Sequence, residues 1–128
     1  MECGPVVNTL LVFLGAGLGG VLRHGVNGAA LRFGQAFPWG TLTINVVGSV
    51  LMGVVTGWFA LRGGPPQARL FLATGVLGGF TTFSTFSLEA VTLIERGDWG
   101  AALAYVLVSV LAGIAGLALA LVAMRHLL

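Results

Sequence analysis

The sequence predicts an all-α integral membrane protein with four transmembrane helices, the third of them broken. Three observations predict it. Of its 128 residues 57% are hydrophobic and 8% are charged, and the mean hydropathy is +1.02. The apolar residues fall into four runs, each long enough for the ~20 residues that ~30 Å of hydrocarbon requires. One run contains Gly75 through Ser87, the poorest helix-forming stretch of the chain. Glycine costs about 1 kcal/mol against alanine in a helix, and serine and threonine compete for backbone bonds. Lipid tolerates broken helix only where protein or a water-filled cavity covers it, so this stretch is expected to line something.

The first span is read from Val6 to Leu31, with Arg23 and His24 near an interface or facing protein. Phe33 to Phe37 is a short connection. Span two runs from Trp39 to Leu61, after Pro38, and Arg62-Gly63-Gly64-Pro65-Pro66 is a turn. Span three covers Ala68 to Ile94, with its break from Gly78 to Thr82. Glu95 to Asp98 is a tight loop, and span four runs from Trp99 to Met124. Residues 1–128 form one domain. The N-terminus lacks the basic stretch of a signal peptide, so the first run is read as a retained span. Cys3 is the only cysteine, which excludes an intrachain disulfide and reads as a surface thiol.

The net charge of +2 rests on six arginines and no lysine. They form no basic stripe, so the pI near 9.5 does not point to nucleic acid. Four spans put both termini on one side. Arg62, Arg69 and Arg125 fall on that side, and Arg32 and Arg96 on the other, with Arg23 if it snorkels there. This near-tie gives almost no orientation signal. It predicts insertion in both orientations, against the alternatives of a weak bias or an orienting partner. Two oppositely inserted copies would form an antiparallel dual-topology homodimer with closed two-fold symmetry. Gly15/Gly19 and Gly53/Gly57 are GxxxG pairs, and with Gly48, Gly113 and Gly116 they predict close helix packing in an oligomer.

Polar residues inside the spans are the candidate functional groups. Asn45 shares a stripe of span two with Thr41, Gly48 and Ser49. Its amide is either interhelical glue or a donor facing a pathway. Tyr105, Ser109 and Gly113 share a face of span four. There the hydroxyls either bond back to their own helix or form a hydrogen-bonding track. Phe83 and Phe86 share a face beyond the break. They are packing residues, or rings whose positive edges attract an anion. Glu89 is an acid within a span, a functional candidate by default, against a headgroup-level residue or a partner for Arg23 or Arg69. His24 and His126 are far apart and suggest no metal site. Ser84 and Ser87 have no histidine nearby in sequence, and no phosphate loop is present, so the chain is not read as an enzyme.

These motifs resemble the Fluc (CrcB) family of small bacterial fluoride channels. Three segments carry the resemblance: Gly19 to Arg23, Trp39 to Gly48, and Gly75 to Ser87 followed by Glu89. Tyr105 and Ser109 fit as well, and the resemblance covers essentially the full length. It implies a passive fluoride-selective channel of the bacterial inner membrane that relieves fluoride toxicity, working as an antiparallel homodimer with two pores. It implies Phe83 and Phe86 as pore phenylalanines and Asn45 as a donor to the ion. Ser109 would belong to the polar track with Thr85 and Tyr105 nearby, Glu89 would lie near a pore mouth, and Arg23 would be the vestibule arginine. It further implies a structural Na+ ion at the dimer centre, held by the backbone carbonyls of Gly78 and Thr81.

Two rival readings compete. A small proton-coupled multidrug exporter also has four spans, but needs a titratable carboxylate near the membrane centre. Span one has none, and Glu89 lies toward the end of span three. A structural subunit of a larger membrane complex is the other.

Overall fold

The computed structural model describes residues 4–128. Cys3, read above as a surface thiol, lies outside the described residues. The helices are α1 (Pro5–Ala30), α2 (Trp39–Arg62), α3 (Pro66–Arg69), α4 (Gly78–Phe80), α5 (Phe83–Glu95) and α6 (Trp99–Leu127). A 3-10 turn, Leu31–Phe33, ends α1, and a π-helix, Leu70–Leu77, joins α3 to α4. Four stretches are long and apolar enough to cross a membrane: Pro5–Phe33, Trp39–Arg62, Pro66–Glu95 and Trp99–Leu127. Each lies close to a span read from the sequence. The third has the lowest hydropathy, 1.3 against 1.8 to 2.7, because it carries the glycines and hydroxyls.

Local chemistry sets the ends. Proline opens α1 and α3, where its missing N–H costs nothing. Gly34, Gly63, Gly64 and Gly97 take positive φ in the connections, a conformation that glycine adopts without a Cβ penalty. Thr81 and Thr82 take extended dihedrals (φ −81°, ψ 157° and φ −151°, ψ 123°) between α4 and α5. The Thr82 hydroxyl caps α5 by accepting from the Thr85 N–H at 3.3 Å. Gly78 and Gly79, included in the break by the sequence reading, are helical. The π-helix before them was not foreseen: it changes the turn from i→i+4 to i→i+5, and an apolar run carries no mark of that choice.

α1 packs chiefly on the π-helix and α4, α2 on α6, and α5 on α6. Glycine makes the first two contacts possible. A Cβ on Gly15 would sit 2.7 Å from the Phe71 carbonyl oxygen, and one on Gly19 would overlap the Val76 carbonyl. On α2, a Cβ on Gly53 would lie 2.6 Å from the Leu117 carbonyl, and one on Gly57 2.8 Å from Met124 Cβ. Both GxxxG pairs are therefore used inside the chain, and the oligomer contact that the sequence reading drew from them needs other residues. Small residues serve here because lipid tails solvate a leucine as well as a protein interior does, leaving close packing as the main attraction.

One cluster of buried side chains lies where α5, α6 and the start of α2 meet. Tyr105, Leu93, Ala90 and Ala102 form that core, with Phe37, Leu42 and Phe86 against it. The Phe37 ring meets Tyr105 edge-on at 5.6 Å, and Phe86 meets it at 5.1 Å.

The packing makes a paired prediction. Gly19→Ala forces a methyl into the backbone of the third span and should lower stability by ~1–3 kcal/mol, the usual cost of overpacking. Gly17→Ala meets nothing within 4 Å and should be neutral or stabilise by about 0.5–1 kcal/mol. Thermal unfolding in detergent compares them, and equal midpoints would refute the close α1 contact.

Candidate ion pathway

Asn45 stands opposite the two extended threonines. Its Nδ2 donates to the Thr82 carbonyl at 2.9 Å, and its Oδ1 accepts from the Thr82 N–H at 2.9 Å. One side chain thus serves both backbone groups of a residue outside the helical ladder, groups that lipid could not satisfy. Thr81 is secured differently, its N–H and hydroxyl both donating to the Leu77 carbonyl, at 3.0 and 2.9 Å. Because the Thr82 N–H goes to Asn45, the Gly78 carbonyl loses the donor that would follow four residues later in an α-helix. The interhelical role of Asn45, left open by sequence, is present. An amide NH₂ has two protons, and only one is spent on Thr82.

A cavity of about 500 Å³ opens beside this clasp. Asn45, Gly78, Thr81, Phe83, Phe86 and Ser109 are among its lining residues, and no charged side chain is. The Ser109 hydroxyl is buried and has no hydrogen-bond partner. It therefore does not bond back to its own helix, which corrects that alternative reading. Buried hydroxyls are normally satisfied, so an unpaired one beside a cavity marks room for an acceptor. Phe83 and Phe86 lie 5.8 Å apart with rings tilted by 43°. Phe83 is 79% exposed in the single chain, so nothing in the chain packs its ring away.

Beyond Phe86 lies a second cluster. The two Glu89 oxygens accept from the hydroxyls of Thr41, at 2.9 Å, and Tyr105, at 2.8 Å. Thr41 and Tyr105 are almost wholly buried, at 1% and 0% exposure. Glu89 is thus held by two neutral donors, neither Arg23 nor Arg69 being its partner. Sequence missed this triad because its members come from three helices; the four-residue step from Thr41 to Asn45 was the only available signal. Glu89 and Thr41 also line a cavity of about 310 Å³ with Asn27, Gln35 and Arg96. The two cavities lie on either side of Phe86 along α2.

Other predicted residues stand apart. The Thr85 N–H caps onto Thr82, and Thr85 lines neither cavity. Arg23 sits on α1, half-buried, and lines neither. Ser49, next to Asn45 on the stripe, donates to the Asn45 carbonyl at 2.7 Å and is not free.

The arrangement offers neutral donors, aromatic edges and freed carbonyls. It suits a small ion moving between weak contacts better than a bond-making reaction. Comparison with known proteins agrees in kind. The family described as "CrcB-like protein, Camphor Resistance (CrcB)" matches residues 10–121. A protein of Methylobacterium nodulans named fluoride-specific ion channel FluC is 66% identical over 122 residues, covering 94% of this chain and 98% of that one. Proteins of the same name from Methylobacterium sp. and Beijerinckia indica are 62% and 56% identical, each match covering 94% of this chain and 98% of the relative. With the family matched over most of its length and these relatives aligned nearly end to end, the chain belongs to the CrcB family.

Proposed function

We infer that the chain is a fluoride-selective ion channel, carrying fluoride passively out across the bacterial inner membrane and so relieving fluoride toxicity. The observation that carries this reading is the uncharged cavity at the Thr81–Thr82 segment, where a buried Ser109 hydroxyl has no partner. Fluoride is small, strongly hydrated and a strong acceptor, and a pore must replace its water with donors. The second Asn45 N–H and the Ser109 hydroxyl supply them without a fixed charge. A cation at that point would hold the ion, and conduction needs binding weak enough to leave. The ring edges of Phe83 and Phe86 continue the path toward Tyr105, Thr41 and Glu89. In this reading the function is transport, which makes and breaks no covalent bond.

The working unit in this reading is an antiparallel homodimer. Two features of the single chain support it. Phe83 has no cover, and the cavity that it lines is open to the outside of the bundle. Arg23 lies in the α1 half nearest Glu89, away from the Ser109 side of the clasp; an inverted second copy would bring its arginine to that side. The near-equal arginine counts permit insertion both ways. The Na+ ion fits the same picture. The Gly78 carbonyl lacks its helical donor and Thr81 is extended, so both can turn oxygen toward a hard cation. One chain supplies too few such ligands, and two copies meeting on a two-fold axis would supply both pairs. The ion's part would be to neutralise those carbonyls and fix the crossing.

Fluoride efflux from liposomes holding only the purified protein, with voltage clamped by an ionophore and chloride as control, tests the reading. Fast fluoride loss with little chloride loss is expected. Asn45→Asp sets an acceptor against the Thr82 carbonyl and a negative charge beside the ion, and should cut flux about tenfold or more. Alanine at both Phe83 and Phe86 should suppress flux as well, and wild-type rates in both variants would overturn the pore assignment. Glu89→Gln separates the channel from the proton-coupled exporter: a channel keeps part of its flux and shows no dependence on a proton gradient, whereas an exporter loses both. For the dimer, Arg125→Cys in a Cys3→Ala background should react with an impermeant thiol reagent from both membrane faces; reaction from one face alone would rule out dual insertion.

A further inference from the structure

Past the clasp, away from Glu89, α2 carries a second opening. A cavity of about 630 Å³ lies between the end of α2 and the start of the third span, lined in part by Met52, Thr56, Arg69 and Thr74. Met52 also lines the cavity beside Asn45, so the two adjoin along α2. Thr41, Asn45, Met52 and Thr56 follow one another at steps of four, seven and four, which keeps them on one side of a helix. A single polar and soft stripe therefore runs from the Glu89 cluster, past the clasp, to Arg69.

Three features of this end point to an anion. Arg69 is exposed, and no carboxylate pairs with it among the described residues. Of the acids there, Glu89 is held by Thr41 and Tyr105, and Glu95 and Asp98 sit at the opposite end of the bundle. Among the described residues, the side chains at the Arg69 end carry net positive charge, with Arg62 and Arg125 beside it, whereas Arg32 and Arg96 share their end with all three of those acids. Finally, helical hydroxyls in this chain commonly donate to the carbonyl four residues back, as those of Thr9, Ser87 and Thr92 do. No such bond joins Thr56 or Thr74 to the chain among the described residues, and both line the cavity, so their protons are available to a ligand.

We propose that Arg69, Thr56 and Thr74 form an anion-recruiting mouth, a site for a small hydrated monovalent anion at the end of the pathway opposite Glu89. This rests on the channel reading and adds to it. The anion keeps most of its water here, beside a charge that draws it in, and meets the uncharged donors of Asn45 and Ser109 only after passing Met52. Charge at the mouth and neutrality at the constriction divide capture from passage. A charge ~5 Å from an anion in water enriches it about fourfold, and the enrichment fades as salt shortens the screening length.

Conductance in planar bilayers, measured against fluoride concentration at low and high ionic strength, tests the proposal. Wild-type protein is measured first, and if it passes no fluoride, the channel reading itself has failed before any variant is made. Arg69→Gln should conduct about fourfold less than wild type at low fluoride and low salt, and converge with it at high fluoride or high salt. Arg69→Lys should follow wild type throughout, keeping the charge, and Arg125→Gln should lose much less than Arg69→Gln, because it removes a charge outside the cavity. A loss in Arg69→Gln that is independent of concentration and salt, no loss, or an equal loss in Arg125→Gln would overturn it. A second readout does not depend on conduction. Thr74→Cys in the Cys3→Ala background should react with an anionic water-soluble thiol reagent faster than with a neutral one, and adding Arg69→Gln should abolish the difference. A cysteine there that resists both reagents would show the cavity covered by the second copy, and the mouth would be ruled out.

Discussion

The paired hydrogen bonds between the Asn45 amide and the Thr82 backbone are the constraint on which the remaining structure turns. Two consecutive extended residues inside a membrane span leave polar groups that neither helix nor lipid can serve. Asn45 answers both groups of Thr82 with one side chain. Three consequences follow from where that side chain stands. The third span is tied to α2 at its weakest point, the Gly78 carbonyl is released from its ladder, and α5 restarts with Phe83 and Phe86 turned to the same cavity as Ser109. An aspartate in place of Asn45 could accept but not donate, and a leucine could do neither.

Much of this was legible in the sequence, for a plain reason. In lipid, hydropathy fixes which segments span, and four apolar runs gave four spans whose ends moved by a few residues at most. The glycines and hydroxyls of the third run marked it as the unusual one, because their helix propensities are poor whatever surrounds them. What stayed hidden depends on neighbours distant in sequence. Glu89 reads as an isolated acid until Thr41 and Tyr105 are brought to its two oxygens from other helices. The π-helix leaves no trace in an apolar run, and the GxxxG pairs could not announce whether they would face another copy or, as found, another span of the same chain. Arg23 shows the same limit, since its place on α1 was readable but its distance from the cavity was not.

The arrangement of charge explains why so small a protein can handle an ion without gripping it. Every charged side chain near the pathway stands at an end: Arg96 and the hydroxyl-held Glu89 at one, Arg69 at the other. Between them α2 offers an amide, a glycine and a thioether, and α6 offers a serine hydroxyl. Electrostatic energy falls with dielectric constant and distance, so a charge at a wet mouth attracts gently, while the same charge at a dry constriction would bind an anion many times more strongly. Neutral dipoles at the narrow point replace water bond for bond and release the ion when the next donor is within reach.

In the proposed dimer one chain is half of the machine, and unfilled space is the reason to propose it. The contacts of α1 with the third span and of α2 with α6 are closed through glycine, while the opening beside the clasp, lined from α2, the third span and α6, stays unfilled. Its lining sets Gly48, Ser49, Gly78 and Ser109 beside Met52, Val110 and Leu117, and these do not fill the space. An identical face turned end over end would meet it with Phe83 against an opening and the Gly78 and Thr81 carbonyls against their own images. A closed two-fold interface needs no more than a surface complementary to its own inverse, and the near-equal arginine counts remove the bias that would otherwise prevent the two orientations from meeting in one membrane. In the proposed dimer the weak orientation signal and the incomplete cavity, one a property of the loops and the other of the helices, have the same cause.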